Sequence, residues 1–523
     1  MRQNPADRLD WSIVIVIIIG TFMAILDGSI MNVALPQLMA IFGVSTDKIQ
    51  WVLTGYMLTM GVIMPASGYL GDTFGYKRTY ILALAVFVLG SALCGLSWNV
   101  ESMMAFRIVQ AIGGGVLQPL GMAIIYQSYP RAKIGMVLGV WGIAAMAAPA
   151  IGPTLGGWLV DAVSWRFIFY LNVPIGLLNL FLAGLILKET PRIKGHHFDG
   201  YGLITSAIGL FCLLLAFSDG TKYGWGSPFI VSLFGIAAVS LTLFVINEWN
   251  HPEPLLNLRL MQNFVFSVSL VIGSVLAIGM FGAIFLIPIF LQNVVGLSAM
   301  KTGIIMFPAA LASGLMMPIS GRLFDKYGAK GIVAIGIFLV AGPTFIMSGF
   351  TEMTPFSDWT FWMVIRGLGM GFAMMPVTTA GMNTVAPNQI GHASALSTVI
   401  RQIASSFGVA MFTTVLQTRQ VYHFQTISAS ANLNSNEYIN AAAAISNLAA
   451  NLGLGPSMSQ ILGLSLITRR AVSLSMTLSI QDCFMIAAVI CAAVIPLAWF
   501  LKRSKEHTHV PHEIVEEPLV IMD

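Results

Sequence analysis

The stretch Gly68-Tyr-Leu-Gly-Asp-Thr-Phe-Gly75 is repeated, in altered form, as Gly321-Arg-Leu-Phe-Asp-Lys-Tyr-Gly328. Each copy follows one long apolar run and precedes another, and positive charge follows both copies, at Lys77 and Arg78 in the first and at Lys330 in the second. A short polar loop at matching places in two halves of a protein indicates duplication. Within a membrane protein, duplication is typical of transporters whose two halves move against each other.

Composition indicates a membrane protein. Apolar residues make up 57% of the 523 residues and charged residues 9%, against about 25% charged in soluble domains, and mean hydropathy is +0.82. The net charge of +4 gives no sign of a nucleic-acid partner. The sequence contains no G-x-x-x-x-G-K-[ST] phosphate loop and no nucleophile–base or metal-ligand pattern, so we expect no enzyme, no cofactor and no metal site. We also expect no disulfide, because all four cysteines lie in or beside apolar runs: Cys94, Cys212, Cys483 and Cys491.

Fourteen segments are apolar enough to cross a membrane, which takes about 20 residues each. They are 12–34, 49–71, 79–98, 102–126, 135–159, 165–187, 200–218, 228–247, 264–290, 302–321, 330–350, 359–383, 392–416 and 481–501. An even number places both termini on one side. If that side is cytoplasmic, 16 Lys and Arg lie in inside segments and 4 in short outside loops, as the positive-inside rule requires. We therefore predict an all-α membrane protein whose N- and C-termini are cytoplasmic.

The spacing of the repeat predicts the domain organisation. Asp72 and Asp325 are 253 residues apart, which is more than six spans with short loops require. The excess fits two additional spans between two six-helix bundles. The predicted divisions are an N-terminal bundle (1–187), a linker with the two additional helices (188–262), a C-terminal bundle (263–501) with a long extracytoplasmic loop (417–480), and a cytoplasmic tail (502–523).

Five motifs, in order along the sequence, match one family. They are L-D-G-S-I-M-N-V-A-L-P (26–36), the loop motif at 68–78, R-I-V-Q-A-I-G (107–113), G-P-T-L-G-G (152–157) and W-R-F-I-F-Y-L-N-V-P (165–174). From about residue 12 to residue 501, the protein resembles the major facilitator superfamily, and within it the fourteen-helix drug:proton antiporters of the EmrB/QacA type. The resemblance implies the major facilitator fold and export driven by a proton gradient.

Asp27 is the strongest candidate for the coupling chemistry. Of the 22 acidic residues, it alone lies well inside a predicted span. An ionised acid in hydrocarbon costs several kcal/mol, so it should face a partner or a water-filled cavity. We interpret Asp27 as a proton-coupling or cation-recognition residue. The alternative is a structural acid that is hydrogen-bonded to neighbouring helices.

Arg107 is the candidate partner of Asp27. Both residues lie about 8–10 Å below the outer rim, at about 1.5 Å per helical residue, and the family resemblance places their spans side by side. The alternative for Arg107 is a fixed structural cation. Four other residues are candidates for lining the cavity: Asn32, Gln110, Arg366 and Arg401. Arg366 lies at a similar depth in the second half, and for Arg401 structural and substrate-lining roles stay open.

The glycine-rich motifs suggest mechanical roles. Glycines permit tight turns and close helix approach, so we interpret the repeated loops as gates on the cytoplasmic side. The gating candidates are Gly68, Asp72, Gly75, Lys77, Arg78, Gly321, Asp325 and Gly328. The alternative is a turn whose charges only set topology. The resemblance further implies an antiporter hinge at Gly152, Pro153, Gly156 and Gly157, for which the alternative is a plain packing face.

These features predict a multi-pass transporter of the bacterial cytoplasmic (inner) membrane. We expect it to export amphipathic or cationic drug-like compounds in exchange for protons, by alternating access. One alternative is a same-fold transporter of a specific metabolite, such as a siderophore, an amino acid or an organic acid, and another is a non-transporting membrane sensor. The expected partners are small-molecule substrates, protons and membrane lipid, with a periplasmic adaptor protein as a candidate if the source has an outer membrane.

Overall fold

The computed structural model describes residues 11–190, 199–430 and 456–501, and this part of the protein is made of helices and short connections. The first half contains α1 (Trp11–Phe42), α2 (Thr46–Ile63), α3 (Ala66–Phe74), α4 (Tyr76–Gly95), α5 (Val100–Ser128), α6 (Arg131–Ala162), α7 (Phe167–Tyr170) and α8 (Asn172–Ile186). The additional pair is α9 (Gly200–Tyr223) and α10 (Pro228–Asn250). The second half contains α11 (Phe264–Ile289), α12 (Ala299–Tyr327), α13 (Lys330–Met347), α14 (Phe356–Met382), α15 (Ile390–Ser430) and α16 (Pro456–Ala493).

Twelve helices in the described ranges are long and apolar enough to cross a membrane. The number rises to 13 if α2 and α3, which are bent by 55° relative to each other, form one span. Within α6, the apolar segment Lys133–Pro149 is shorter than the other spans. The prediction of fourteen spans therefore stays a prediction, while the all-helical membrane architecture is as expected. The predicted tail at 502–523 lies outside the described residues.

Local sequence sets where the key helices begin and end. Asn99 starts α5 with a capping box, because its Oδ1 accepts from the backbone amide of Ser102 at 2.8 Å and Ser102 Oγ accepts from the amide of Asn99 at 3.2 Å. This cap fixes the depth of the residues that follow on α5. Both copies of the repeat end in a glycine with positive φ, 90° at Gly75 and 80° at Gly328. Residues with a Cβ rarely adopt this conformation, so each copy turns sharply into the next helix.

The two halves touch at the end of the molecule that carries the repeated segments. There, α6 packs directly on α12, and a Cβ on Gly139 would lie 2.6 Å from the Cα of Pro318. At the same end, α3 and α5 pack on α15, where Ser394 Oγ donates to the carbonyl of Pro119 at 2.8 Å. Small residues permit such close contact between helix backbones.

The additional helices lie on the periphery and contact both halves. α9 packs against α10, against α2 of the first half and against α15 of the second half. Trp225, between α9 and α10, donates from its indole Nε1 to Thr414 Oγ1 on α15 at 2.9 Å. The pair is therefore attached across the boundary between the halves.

The predicted outer loop at 417–480 is helical at both of its described ends. α15 continues to Ser430 and α16 begins at Pro456, whereas residues 431–455 lie outside the described part. Asp482 on α16 binds two side chains of α15, with Oδ2 2.6 Å from Arg419 Nε and 2.7 Å from His423 Nε2. These polar contacts join the part of α15 that follows the predicted span 392–416 to the beginning of the predicted span 481–501.

Candidate functional site

Asp27 lies in the middle of α1, where it is 1% exposed. Its carboxylate accepts three hydrogen bonds from other helices. Oδ2 accepts from Arg107 Nη1 at 2.5 Å, and Oδ1 accepts from Gln110 Nε2 and from Asn172 Nδ2, both at 2.9 Å. One cation and two amides thus supply hydrogen-bond donors to this carboxyl group in an otherwise apolar interior.

The guanidinium of Arg107 is completely buried. Besides Asp27, it donates from Nη1 to Gln110 Oε1 at 2.9 Å, and the ring of Tyr56 lies 4.1 Å from its Cζ. Its Nη2 has no hydrogen-bond partner among the described residues. Its Nε also donates to the carbonyl of Val52 at 3.5 Å, and the ring of Phe169 lies 5.7 Å from Cζ. Asp27 is the only acid paired with this cation in the described part of the protein, so removal of its charge would leave the cation without a counter-ion.

The sequence placed Asp27 and Arg107 at the same depth, and the structure joins them in an ion pair that also includes Gln110. Sequence reasoning missed Asn172 as a partner of Asp27. Asn172 Nδ2 also donates to Ser91 Oγ at 3.2 Å, which extends the cluster to α4. The sequence did contain a signal for this role, because Asn172 is a polar residue in the otherwise apolar end of the 165–174 motif.

The predicted antiporter motif packs on α1 just after Asp27. A Cβ on Gly152 would lie 2.4 Å from Ser29 Oγ, and one on Gly156 would lie 3.0 Å from Ile30 Cγ2. Ser29 Oγ also donates to the carbonyl of Pro149 at 3.0 Å. The remaining predicted residues are Pro153 and Gly157, which lie on the same continuous helix α6, and Asn32 on α1. The side chains of Pro153 and Asn32 are outside the described part.

Arg366 occupies a comparable place in the second half but has neutral partners. It lies on α14, and its Nη2 donates to the carbonyl of Gly279 on α11 at 2.8 Å. Its Nε donates to Thr344 Oγ1 on α13 at 3.2 Å. Thus the structure does not bring Arg366 to Asp27, and the α11 residue that faces Arg366 is a glycine.

Arg401 lies apart from both arginines, on α15. It borders a cavity of about 30 Å³ together with small and hydroxyl-bearing residues: Ser269, Leu270, Gly273, Ser274, Thr378 and Ser397. Its Nη2 has no hydrogen-bond partner in the described part of the protein. The cavity has about the volume of one water molecule, and both the structural and the substrate-lining role of Arg401 stay predictions.

The first copy of the repeat binds the start of α15. Asp72 Oδ1 accepts from the Tyr76 hydroxyl at 2.8 Å, and Oδ2 lies 3.3 Å from His392 Nε2. A Cβ on Gly68 would lie 3.2 Å from the carbonyl carbon and oxygen of Gly391. Asp72 and His392 belong to different halves and are both buried, so we refer to Asp72, Tyr76 and His392 as the inner latch.

The second copy binds the start of α6 through backbone contact. A Cβ on Gly321 would lie 2.2 Å from the carbonyl oxygen of Gly135, and one on Gly135 would lie 2.9 Å from Asp325 Oδ1. Gly328 ends α12. Each aspartate therefore faces the early part of a helix from the other half, where the helix dipole favours an anion.

The two basic residues after the first copy have partners within their own half. Lys77 Nζ donates to the carbonyl of Gly184 on α8 at 2.7 Å. Arg78 Nε lies 3.3 Å from Glu189 Oε2, and both side chains are exposed. These two cations do not reach across to the second half.

Comparisons with known proteins agree with this architecture. The family model described as Major Facilitator Superfamily matches residues 17–409. The sequence is 36% identical to the uncharacterized MFS-type transporter YhcA of Bacillus subtilis, over 95% of this protein and 93% of that one. It is 34% identical to a multidrug resistance protein B homolog of Mycobacterium tuberculosis, over 82% and 80%.

Among solved structures, the human organic anion transporter MFSD10 (TETRAN) superposes with a TM-score of 0.60. The superposition covers 95% of this protein and 100% of that one, at 14% identity, and so compares the folds alone. Together, the matched family model, the full-length relatives and the shared fold show that this multi-pass protein of the bacterial cytoplasmic membrane belongs to the Major Facilitator Superfamily.

Proposed function

We propose that this protein exports amphipathic, mainly cationic, drug-like compounds across the cytoplasmic membrane in exchange for protons. The observation that carries the proposal is the buried ion pair of Asp27 and Arg107, because ionisable residues inside membrane-spanning helices are costly and typically mark substrate or proton pathways. The multidrug resistance named for the relative from Mycobacterium tuberculosis supports drugs as the substrate class.

The exchange step follows from the contacts of Asp27. In the ionised form, Asp27 compensates Arg107 and accepts from Gln110 and Asn172. When a proton binds to Asp27, the carboxyl loses its charge and one acceptor becomes a donor. The hydrogen bonds must then rearrange, and a cationic substrate loses the negative charge that would attract it. Proton uptake from outside therefore favours substrate release.

The proposed moving parts are the inner latch and the close contact of Gly135 with Gly321. If the positive-inside bias is correct, both contacts lie on the cytoplasmic side, and the present structure is closed on that side. The α6 motif at Gly152 and Gly156 packs on α1 beside Asp27, which supports a role in transmitting the protonation state to α6. Opening the inner side requires these two contacts to break, together with those of Gly139 with Pro318 and of Ser394 with Pro119.

The topology, the energy source and the partners are proposed from the amino-acid sequence. We propose fourteen spans with cytoplasmic termini, two six-helix bundles (1–187 and 263–501) and the additional pair within 188–262. The proton gradient would be the only energy source, without a cofactor. The proposed partners are substrates, protons and lipid, and an adaptor protein where the source has an outer membrane.

Transport by inside-out membrane vesicles tests the proposal. We expect the natural protein to accumulate a lipophilic cation in respiring vesicles and to lose this activity when a protonophore is added. Asp27→Asn should abolish accumulation, because it cannot exchange a proton. Asp358→Asn is the matched control, since Asp358 is an exposed acid in the first turn of α14. Undiminished accumulation by Asp27→Asn would refute the coupling role, and uptake of only one metabolite class would favour the alternative transporter.

A further inference from the structure

Two acidic side chains are buried at the ends of the additional helices, far from Asp27 in sequence. Asp199 precedes α9 and is 3% exposed, and Glu248 lies in the last turn of α10 and is completely buried. The end of a helix carries partial negative charge, which disfavours an ionised Glu248 at that place. Nothing in the transport mechanism above uses this pair.

The hydrogen bonds of the two carboxyls leave one oxygen without a donor. Asp199 accepts from the backbone amide of Gly202 at 2.7 Å and from Asn247 Nδ2 at 2.6 Å. Glu248 Oε2 accepts from the backbone amide of Leu256 at 2.9 Å. Glu248 Oε1 is buried and has no partner among the described residues. A buried carboxyl oxygen that takes part in no hydrogen bond costs folding free energy. A partner that completes its hydrogen bonding would remove this cost.

The unpaired oxygen faces the other acid. A Cβ on Gly202 would lie 2.6 Å from Glu248 Oε1 and 2.2 Å from Asp199 Oδ2, so both oxygens converge on the same glycine. The nearby basic residue, Arg259, donates instead to the carbonyls of Trp249 and His251. No ion pair joins either acid to a cation in the described ranges, and no third His, Cys, Asp or Glu there completes a metal site.

We propose that Asp199 and Glu248 form a second proton-binding site, in which Glu248 Oε1 carries a proton and donates a hydrogen bond to the Asp199 carboxylate. A single proton removes the repulsion between two buried like charges and supplies the missing hydrogen bond. A metal cation fits less well, because hard cations take roughly six or more oxygen ligands. Glycine at 202 is required here, because a Cβ would displace both oxygens.

One peptide segment connects this site to the inner latch. Leu256 binds Glu248 through its backbone amide, and the carbonyl of the preceding residue, Leu255, lies 3.2 Å from His392 Nδ1. The other ring nitrogen of His392 faces Asp72. Leu255 is completely buried and is bonded directly to Leu256. A displacement of Glu248 therefore moves the Leu255 carbonyl, which is the hydrogen-bond acceptor of His392. Loss of the proton would therefore loosen the latch. This connection rests on the proposed gating role of the latch, whereas the proton site does not.

Infrared spectroscopy of the full-length protein in lipid nanodiscs tests the proton site directly. The difference spectrum between the natural protein and Glu248→Gln at neutral pH should contain the carbonyl stretch of one protonated carboxyl. Asp199→Asn should shift that band without removing it, and this variant also serves if Glu248→Gln fails to fold. Glu101→Gln, which changes an exposed acid paired with Lys48, should leave the band unchanged.

Three outcomes separate the possibilities. A difference spectrum without a protonated carboxyl would overturn the proposal, and so would a band that disappears when sodium replaces choline at constant pH. The band should persist in Asp27→Asn, so a failure of the transport proposal leaves this test valid. For the connection to the latch, export measured at a constant proton gradient should depend less on cytoplasmic pH in Glu248→Gln than in the natural protein, whereas the dependence that arises from Asp27 is common to both. Equal pH profiles would refute the connection.

Discussion

The two halves of this protein each place an arginine inside a long helix, fully buried in the first half and partly buried in the second, and the two arginines have different kinds of partner. Arg107 on α5 is paired with the carboxylate of Asp27. Arg366 on α14 donates to the carbonyl of Gly279 and to the hydroxyl of Thr344 and has no carboxylate partner among the described residues. Among the described residues, the arginine of the first half is paired with a carboxylate, whereas the arginine of the second half binds neutral groups. The proposed coupling chemistry therefore lies in the first half.

The repeated loops differ in a similar way. Asp72 has two side-chain partners, Tyr76 and His392. Asp325 instead lies against the backbone of Gly135, next to the contact of Gly135 with Gly321. The first loop thus forms a polar, directional latch, and the second forms a close backbone contact. One contact between the halves depends on charge and the other on shape.

The largest expected effect comes from breaking the first arginine's ion pair. Arg107→Met should lower the free energy of unfolding by about 3–5 kcal/mol, because it leaves Asp27 as an unpaired buried charge. Arg366→Met should cost less, about 1–3 kcal/mol, because it leaves only neutral groups unpaired. Denaturant titration in detergent micelles measures both. In the double variant Asp27→Leu/Arg107→Met, most of the loss should be recovered, and equal losses in the two single variants would contradict the asymmetry.

The second comparison concerns how closely a glycine of each repeated loop approaches the other half of the protein. Gly321→Ala should destabilise the closed state by about 1–3 kcal/mol, because its methyl group would overlap the carbonyl of Gly135. Gly68→Ala should have a smaller effect, since its nearest contacts are at 3.2 Å and slight movement relieves them. Alkylation of a cysteine placed at the interface, such as Ser394→Cys, reports the open population. A larger destabilisation of the closed state by Gly68→Ala than by Gly321→Ala would contradict this prediction.

The inner latch should stabilise the closed state less when Asp72 or His392 is replaced by a neutral residue. Asp72→Asn and His392→Gln should each weaken the closed state by about 1 kcal/mol, the usual net contribution of one hydrogen bond. Asp325→Asn should change it less, because its contact with α6 is mainly through the dipole of that helix. The same alkylation assay applies. Combining Asp72→Asn with His392→Gln should add little to either single change, since both remove one interaction.

The smallest effect is expected at the exposed charges. Arg78→Gln should change stability by less than about 1 kcal/mol, because its ion pair with Glu189 is exposed to solvent. Thermal unfolding of the purified variant checks this value. A loss comparable to that of Arg107→Met would show that the first loop is held by its cations rather than by Asp72.

The sequence predicted the helical membrane fold and the pairing of Asp27 with Arg107, because span length and residue depth follow from the rise of a helix. It did not predict His392 as the partner of Asp72, since 320 positions (392 − 72) separate them and their contact depends on how the halves pack. Asp199 and Glu248 were missed for another reason. Each lies at the edge of an apolar segment, where an acid usually faces water, and only the structure shows that both are buried.

The position of α9 has one more consequence. Because α9 packs on α2 and on α15, it spans the boundary along which the halves would rock. Any rocking motion must therefore slide α9 against one of them and change the area that the protein occupies in the plane of the bilayer. Lateral tension acts on that area change as work. The transport rate of this protein should therefore depend on the thickness and tension of the surrounding lipid, through the contacts of α9 with both halves.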